Sequence, residues 1–563
     1  MDTPKIYAAD LETNTHENDV RVWAWGTMNI YSERFEYGSD IDSFIDYMFA
    51  NGGRYYLHNL KFDGVYILIW LLENGWVYTD DIKPGGKQFN AIIDNMGKYY
   101  QIKIPWKSHA RRQEYITIRD SLKLIPFAIR DIALKFKMDE IKGNIDYSKI
   151  RIPGEKIDPS DLRYLYLDVK ILANALTMIN VSRETKMTTS AECLKSYKEI
   201  IGHKKFREIF PVLAPEVDVF CRKSYRGGWS YVKKSIQGKE IDAGIRLDVN
   251  SLYPYVMHER LIPYGEPKYF KGEYKETPGY PLYIQRVQCI FKLKPNHLPM
   301  IQLKKSMIFS QTEYIEECMT EQELVLTNVD LKLFLEHYDV MDSIQYIDGY
   351  MFKASGKLYT KYLDYWIDEK IDAGEKGDLG RRQIAKDRQN CLYGKFGSRI
   401  DRRHKKPYLK DGILKYELSE KEDVEPVYIP AATFITAWAR DYTIRAAQSQ
   451  YDRFCYSDTD SLHLEGEDLP ENLEIDANKL GAFKHEATFS RAKFLRAKRY
   501  IEDEGGELHV TCAGMPKNLW NQITWENFDT RLPLKERTFK GKLVPKHVKG
   551  GILLTETTFT LQD

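Results

Sequence analysis

Cysteine is scarce in this sequence, and so are long apolar runs and any excess of one charge. The seven cysteines of the 563 residues stand singly, with no Cys-x-x-Cys pair. That spacing offers neither a zinc site nor a disulfide framework, and it suits a reducing compartment. The most apolar short run, Tyr66 to Leu72, is far too short to span a bilayer. Met1 to Val20 is acidic and has no apolar stretch, so no signal peptide is expected. Lysine and arginine number 83 against 82 aspartate and glutamate, a net charge of +1. Global charge therefore argues neither for nor against a polyanionic partner. Internal repeats and low-complexity tracts are also missing.

What is there begins with tyrosine: 39, against 24 phenylalanines. A tyrosine ring can stack on a base while its hydroxyl bonds a phosphate or sugar. Basic charge is concentrated locally. Arg399 to Lys410 holds six cations against Asp401, and Arg491 to Arg499 holds five with no acid. The tail from Arg531 to Lys549 holds seven against Glu536. Such stretches suit a phosphate backbone. The length suggests about three to five domains.

Residues 5–10, 21–30, 54–57 and 115–120 read as strands, and 63–74 and 160–180 as helices. A mixed α/β unit is expected up to about residue 188, and a second unit after it. There, 246–250 reads as a strand entering a helix after Pro254. Six prolines crowd into residues 261–300, which predicts a loop-rich, extended insertion. Residues 360–393 read as helical with a break at 374–380. Residues 399–420 read as a basic hairpin turning at Asp411-Gly412, and 453–464 as a second hairpin with an acidic tip.

Two sets of acids carry the chemistry. Asp10 and Glu12 alternate on the first strand, so both carboxylates point the same way and invite a cation between them. Asp63 falls at a strand-to-helix junction. Tyr164 and Asp168 are four apart on a helix and share a face. Four carboxylates and a tyrosine suit two-metal phosphodiester cleavage. In the second set, Asp248 ends a strand, and Asp458 and Asp460 alternate in a tight turn. Between them, Lys386, Asn390 and Tyr393 lie on one helical face. A cation, an amide and an aromatic ring are what a nucleoside triphosphate needs. Taken alone, these acids also fit a nuclease with a DNA-binding domain; a non-enzymatic replication scaffold would leave them without a use.

The ordered motifs resemble family B DNA polymerases. The first set, Asp-x-Glu, Asn-x-x-x-Asp and Tyr-x-x-x-Asp, resembles their three exonuclease motifs. Asp248 to Pro254, Lys386 to Gly394 and Tyr456 to Ser461 resemble polymerase motifs A, B and C. Tyr225-Arg226-Gly227-Gly228, Thr436 to Arg440 and Lys498-Arg499-Tyr500 resemble motifs of the protein-primed branch found in small tailed bacteriophages (phi-twenty-nine-like). The resemblance runs nearly end to end.

It implies an α/β and α+β multidomain fold: an RNase H-like 3′→5′ exonuclease domain and a right-hand polymerase domain with two extra insertions. The exonuclease would span 1–188, the palm 189–260 and 427–529, the fingers 359–394 and the thumb 530–563. An insertion at 261–358 would contact a terminal priming protein, and a hairpin at 395–426 would support processivity and strand displacement. Asp10, Glu12, Asp63 and Asp168 would hold one pair of divalent ions, with Tyr164 orienting water and Lys142 assisting. Asp248, the Val249 carbonyl and Asp460 would hold a second pair, with Asp458 accessory. The ions are expected to be Mg²⁺, with Mn²⁺ as an alternative. Tyr253, Lys370, Lys386, Asn390 and Tyr393 would meet the nucleotide, Tyr253 excluding a 2′-hydroxyl. Thr13, His58, Asn59, Phe62, Ser121 and Leu122 would contact single strands. Tyr225, Gly227, Gly228, Thr436, Arg440, Arg496, Lys498 and Tyr500 would contact template or primer. The implied partners are primer-template DNA, deoxynucleoside triphosphates and the terminal protein, bound as a heterodimer by an otherwise monomeric enzyme. The implied setting is the cytoplasm of an infected bacterium. One departure is Cys391, where the branch usually has serine; the weaker thiol donor puts a template contact there in doubt.

Overall fold

The computed structural model describes residues 4–562 apart from 18, 84, 110–111, 140–142, 148, 304–309 and 311. The expected Lys142 contribution lies outside the described residues.

The chain opens with strand Ile6–Thr13, which sits inside an eight-stranded sheet. It pairs antiparallel with Val22–Asn29 and parallel with Arg54–Leu57, which in turn pairs parallel with Arg112–Asp120. Alternation along the first strand divides two cores. Tyr7, Ala9 and Leu11 face the helix Leu60–Glu73, while Ile6 and Ala8 face the helix Pro159–Met178. The second helix starts where Asp158 caps the Ser160 N–H and proline takes the first turn. Gly26 lets it press close: a Cβ there would lie 3.0 Å from the Leu165 side chain.

The central unit is built on a five-stranded sheet. Its order is Phe483–Phe489, Gly244–Val249, Ser461–Glu465, Phe454–Asp458 and Ser230–Val232. The largely buried helix Ile429–Ser449 shares its core. Helices Thr360–Glu375 and Leu379–Phe396 form an antiparallel pair, with the expected break between them.

Two sequence expectations fail here. The helix after Asp248 begins at Leu252, before Pro254 rather than after it. Proline is tolerated there because the first-turn N–H groups have no intrahelical partner. Residues 261–300 are less loop-rich than expected: strands Ile262–Lys271 and Leu282–Leu293 take up just over half of them, while Pro278, Pro281, Pro295 and Pro299 do lie outside strands. Pro263 and Pro267 lie on the edge strand of that sheet, Pro267 within a register shift between Tyr264 and Lys268. Edges and bulges are where a missing N–H costs least.

The basic hairpin forms as Lys405–Lys410 and Ile413–Leu418, with Asp411 and Gly412 both at positive φ. The C-terminal hairpin Thr538–Val548 and Gly551–Thr560 does not stand apart from residue 530: Phe539 and Phe559 share a core with Leu495, Ile501 and Phe528. The two hairpins meet, with Ile413 bridged to Lys549 and the Leu414 carbonyl 3.1 Å from His547 Nδ1. Both also touch the N-terminal unit. Leu414 and Ile552 enter its core, and Lys406 pairs with Asp80 at 2.6 Å. All seven cysteines are free. Among the described residues, no helix is long and apolar enough to cross a membrane.

Candidate active sites

The N-terminal acids are gathered. Asp10 and Glu12 come from the strand face that meets the helix carrying Asp168, and one ligand oxygen from each of the three lies within 4.8 Å of the others. Asp63 enters from the first turn of Leu60–Glu73 and is 4% exposed. Burial first, then the charge of Asp10, pushes its carboxyl well above the usual range. Crowded, buried acids of this kind fit a divalent cation, which would offset both penalties. Tyr164 lies 3.1 Å, hydroxyl to hydroxyl, from Tyr147, a residue the sequence motifs did not single out. Asn14 steadies that segment by bonding the Arg151 carbonyl at 2.6 Å.

The expected single-strand ligands divide. Asn59 is exposed in a left-handed conformation, φ 66°, its N–H held by Asp120 at 3.0 Å. Asp120 also takes the Leu122 N–H. Thr13, Phe62 and Leu122 are half-buried at the surface. Ser121 is fully buried, donating to the Leu57 carbonyl and lying 3.0 Å from His58 Nδ1. Its hydroxyl braces His58, whose Nε2 lies 2.8 Å from the Phe127 carbonyl.

The central acids are adjacent without being gathered. The Val249 N–H donates to the Asp460 carbonyl at 2.8 Å, which joins the strand end to the turn. In the register Asp248 faces Ser461, and Ser461 faces Asp458. Burial and then Asp460 push the Asp248 carboxyl up to about 7; burial, and after it Asp458, raises Asp460 to about 6. Yet among the described residues only the Asp10 set closes to within 4.8 Å. Asp458 instead leans toward Lys498, at 3.5 Å. Mutual repulsion between buried acids is again what a divalent cation would relieve.

Around them lie the residues expected to meet a nucleotide. The Tyr253 and Tyr393 rings stack at 4.0 Å. Lys386 acts on both Asp248 and Asp460, lowering their carboxyls against burial. Burial, then Arg382 and Lys386, lowers the Lys370 ammonium. Arg382 was missed in the sequence, although it lies four residues before Lys386 on the same helical stripe. Glu486 and Lys484, which act on Asp248 from the neighbouring strand, left no sequence signal. The Asn390 amide donates to the Lys386 carbonyl, one turn back.

Thr436 and Arg440, expected on DNA, are both buried. Thr436 is 1% exposed and its hydroxyl bonds Ala432 and Thr433 carbonyls. Arg440 is 3% exposed; it bonds Asp330 at 2.8 Å and the carbonyls of Arg226 and Gly227, each at 2.8 Å. It therefore clamps the Tyr225–Gly228 segment rather than reaching outward. Gly228 seats that segment on the acidic turn, where a Cβ would lie 2.5 Å from Thr459 Oγ1. Gly227 is exposed, Tyr225 and Arg496 are half-buried, and Tyr500 is only 9% exposed.

The family model for DNA polymerase type B, organellar and viral, matches residues 46–162 and 151–478. The chain belongs to the type B DNA polymerases. Its likeness to the DNA polymerase of Bacillus phage phi29 is 41% identity, covering 99% of each chain. With the DNA polymerase of Streptococcus phage Cp-1 it is 35%, covering 99% of this chain and 98% of that one. The solved phi29 DNA polymerase with primer-template DNA and incoming nucleotide substrates superposes with a TM-score of 0.92 at 40% identity, over 99% of this chain and all of that one. This type B polymerase is thus a DNA-directed DNA polymerase of the phi29-like kind, which carries an exonuclease, and divalent metal ions serve it as they serve the family.

Proposed function

We propose that synthesis takes place at Asp248, Asp458 and Asp460, and 3′→5′ proofreading at Asp10, Glu12, Asp63 and Asp168. The observation that carries the first assignment is the Val249–Asp460 backbone bond, which sets two acids from distant chain segments side by side. The similar polymerase solved with primer-template and nucleotides supports the same substrates here. Mg²⁺, with Mn²⁺ as an alternative and two ions per site, would supply charge at the attacking and leaving oxygens. Asp248, the Val249 carbonyl and Asp460 would hold one pair, and the four N-terminal acids the other.

The chain's own groups do the rest. Lys370, Lys386 and Arg382 neutralise the triphosphate. Tyr253, backed by Tyr393, blocks a 2′-hydroxyl. Lys498 holds the primer end, and Tyr225–Gly228 guides template between the sites. Tyr164 orients water for digestion, and Phe62 and Asn59 receive a melted end. In this reading the exonuclease spans 1–188, the palm 189–260 and 427–529, and the fingers 359–394. The thumb begins at 530, although its core reaches back to Leu495. The 261–358 sheet meets a terminal priming protein in a heterodimer; the enzyme is otherwise monomeric. The 395–426 hairpin favours long products and strand displacement, in the cytoplasm of an infected bacterium. Primer extension across a downstream duplex, with and without chelator, tests this. Incorporation and displacement should both depend on the ion; absence of incorporation would overturn the assignment.

A further inference from the structure

Glu502 is fully buried on strand Arg499–Glu504, which belongs to a different sheet from the acid-bearing strands. Its Oε2 accepts from Arg246 at 2.5 Å, and its Oε1 lies 2.6 Å from His463 Nδ1. Arg246 stands two residues before Asp248 and so shares its strand face. His463 lies directly opposite Arg246, three residues after Asp460. Glu502 itself shares a face with Tyr500. The Tyr500 ring packs on Tyr456 and His463, with centroids 5.2 and 5.0 Å away. Tyr456 Oη accepts the Lys498 N–H at 2.9 Å. Glu502 thus joins the strand of Asp248, the strand after Asp460 and the Lys498–Tyr500 corner; Glu504, 2.7 Å from Arg246, shares the first of these links, and His463 is held by Glu502.

Stability does not explain this arrangement. Apolar residues of similar volume often hold two sheets together as well as a buried ion pair does. What a buried, directional network adds is a fixed register.

We infer that Glu502 is a positioning residue for synthesis, setting the Lys498–Tyr500 corner relative to Asp248 and Asp460 and hence the seat of the primer end. This rests on the reading of Lys498 as a primer contact. Glu502→Gln keeps the shape and removes the charge. The readout is the nucleotide concentration at which a matched primer switches from shortening to extension. It should rise about tenfold, with a higher KM for primer-template, while digestion of single strands stays within about twofold. Arg246→Lys, which keeps its charge, should shift it the same way by roughly threefold, and carries the test if Glu502→Gln does not fold. Lys498→Ala is measured beside them. A folded Glu502 variant that leaves the switch unmoved, while Lys498→Ala moves it, overturns the positioning role alone. If Lys498→Ala also leaves it unmoved, the primer reading falls. Extension and single-strand digestion declining together with the melting temperature would make Glu502 merely structural and overturn the inference.

Discussion

The N-terminal acids and the central acids are assembled by different means. Asp10, Glu12 and Asp168 come from one strand and the helix packed on it, and their oxygens already converge. Asp248, Asp458 and Asp460 hang from a strand end and a turn. They are joined through backbone, and Asp458 is drawn toward Lys498. The first set is brought together by packing, and what remains for ions is to offset its charge. The second is left open, which fits the synthetic role proposed for it, since such a site would admit a new nucleotide at every cycle.

The largest expected effect separates the two chemistries. Asp460→Ala should cut synthesis by roughly 10³–10⁴ and leave single-strand digestion near wild type, with Asp10→Ala doing the reverse. Equal loss of both activities in both variants would sink the two-site comparison. Next, Asp330→Ala strands the buried Arg440 charge and should cost about 3–5 kcal/mol of stability in urea unfolding. It should disturb the Tyr225–Gly228 segment, so extension should suffer more than digestion of single strands. Tyr253→Val should raise ribonucleotide use by about a hundredfold, read as the ratio of kcat/KM values, without touching digestion.

The smallest effect is one of pH. His337, 3% exposed, is held down to about 4 by burial. Unfolded, it titrates near 6.5, so its contribution is complete above that pH and is lost as pH falls toward 4. Between pH 7.5 and 5.0 this one group should withdraw roughly 2 kcal/mol, against the opposite linkage of the raised Asp248 and Asp460 carboxyls, so the difference between wild type and His337→Gln, and not the slope of the unit as a whole, should read it. A wild-type unfolding slope that His337→Gln leaves unchanged would remove this histidine from the account.

Much of this was legible in the sequence because alternation and helical spacing report directly on faces. Asp10 with Glu12, Tyr164 with Asp168, and Lys386 with Tyr393 all lie as their spacing requires. What escaped was set by distant partners. Pro263 and Pro267 read as loop because nothing local says that their strand is an edge. The burial of Ser121, Thr436 and Arg440 could not be read because it depends on Leu57, on the turn of a packed helix and on Asp330. Glu486 is brought to Asp248 only by sheet pairing. Arg382 is the exception, since its spacing from Lys386 was open to view.

The entry of Leu414 and Ile552 into the N-terminal core bears on how the polypeptide matures. The first third of the chain emerges with an apolar seam that only residues made much later can seal. Gly551 has no side chain because Tyr66 already occupies that space. An N-terminal fragment expressed alone should therefore be sticky, and chaperones have reason to guard it until the tail arrives.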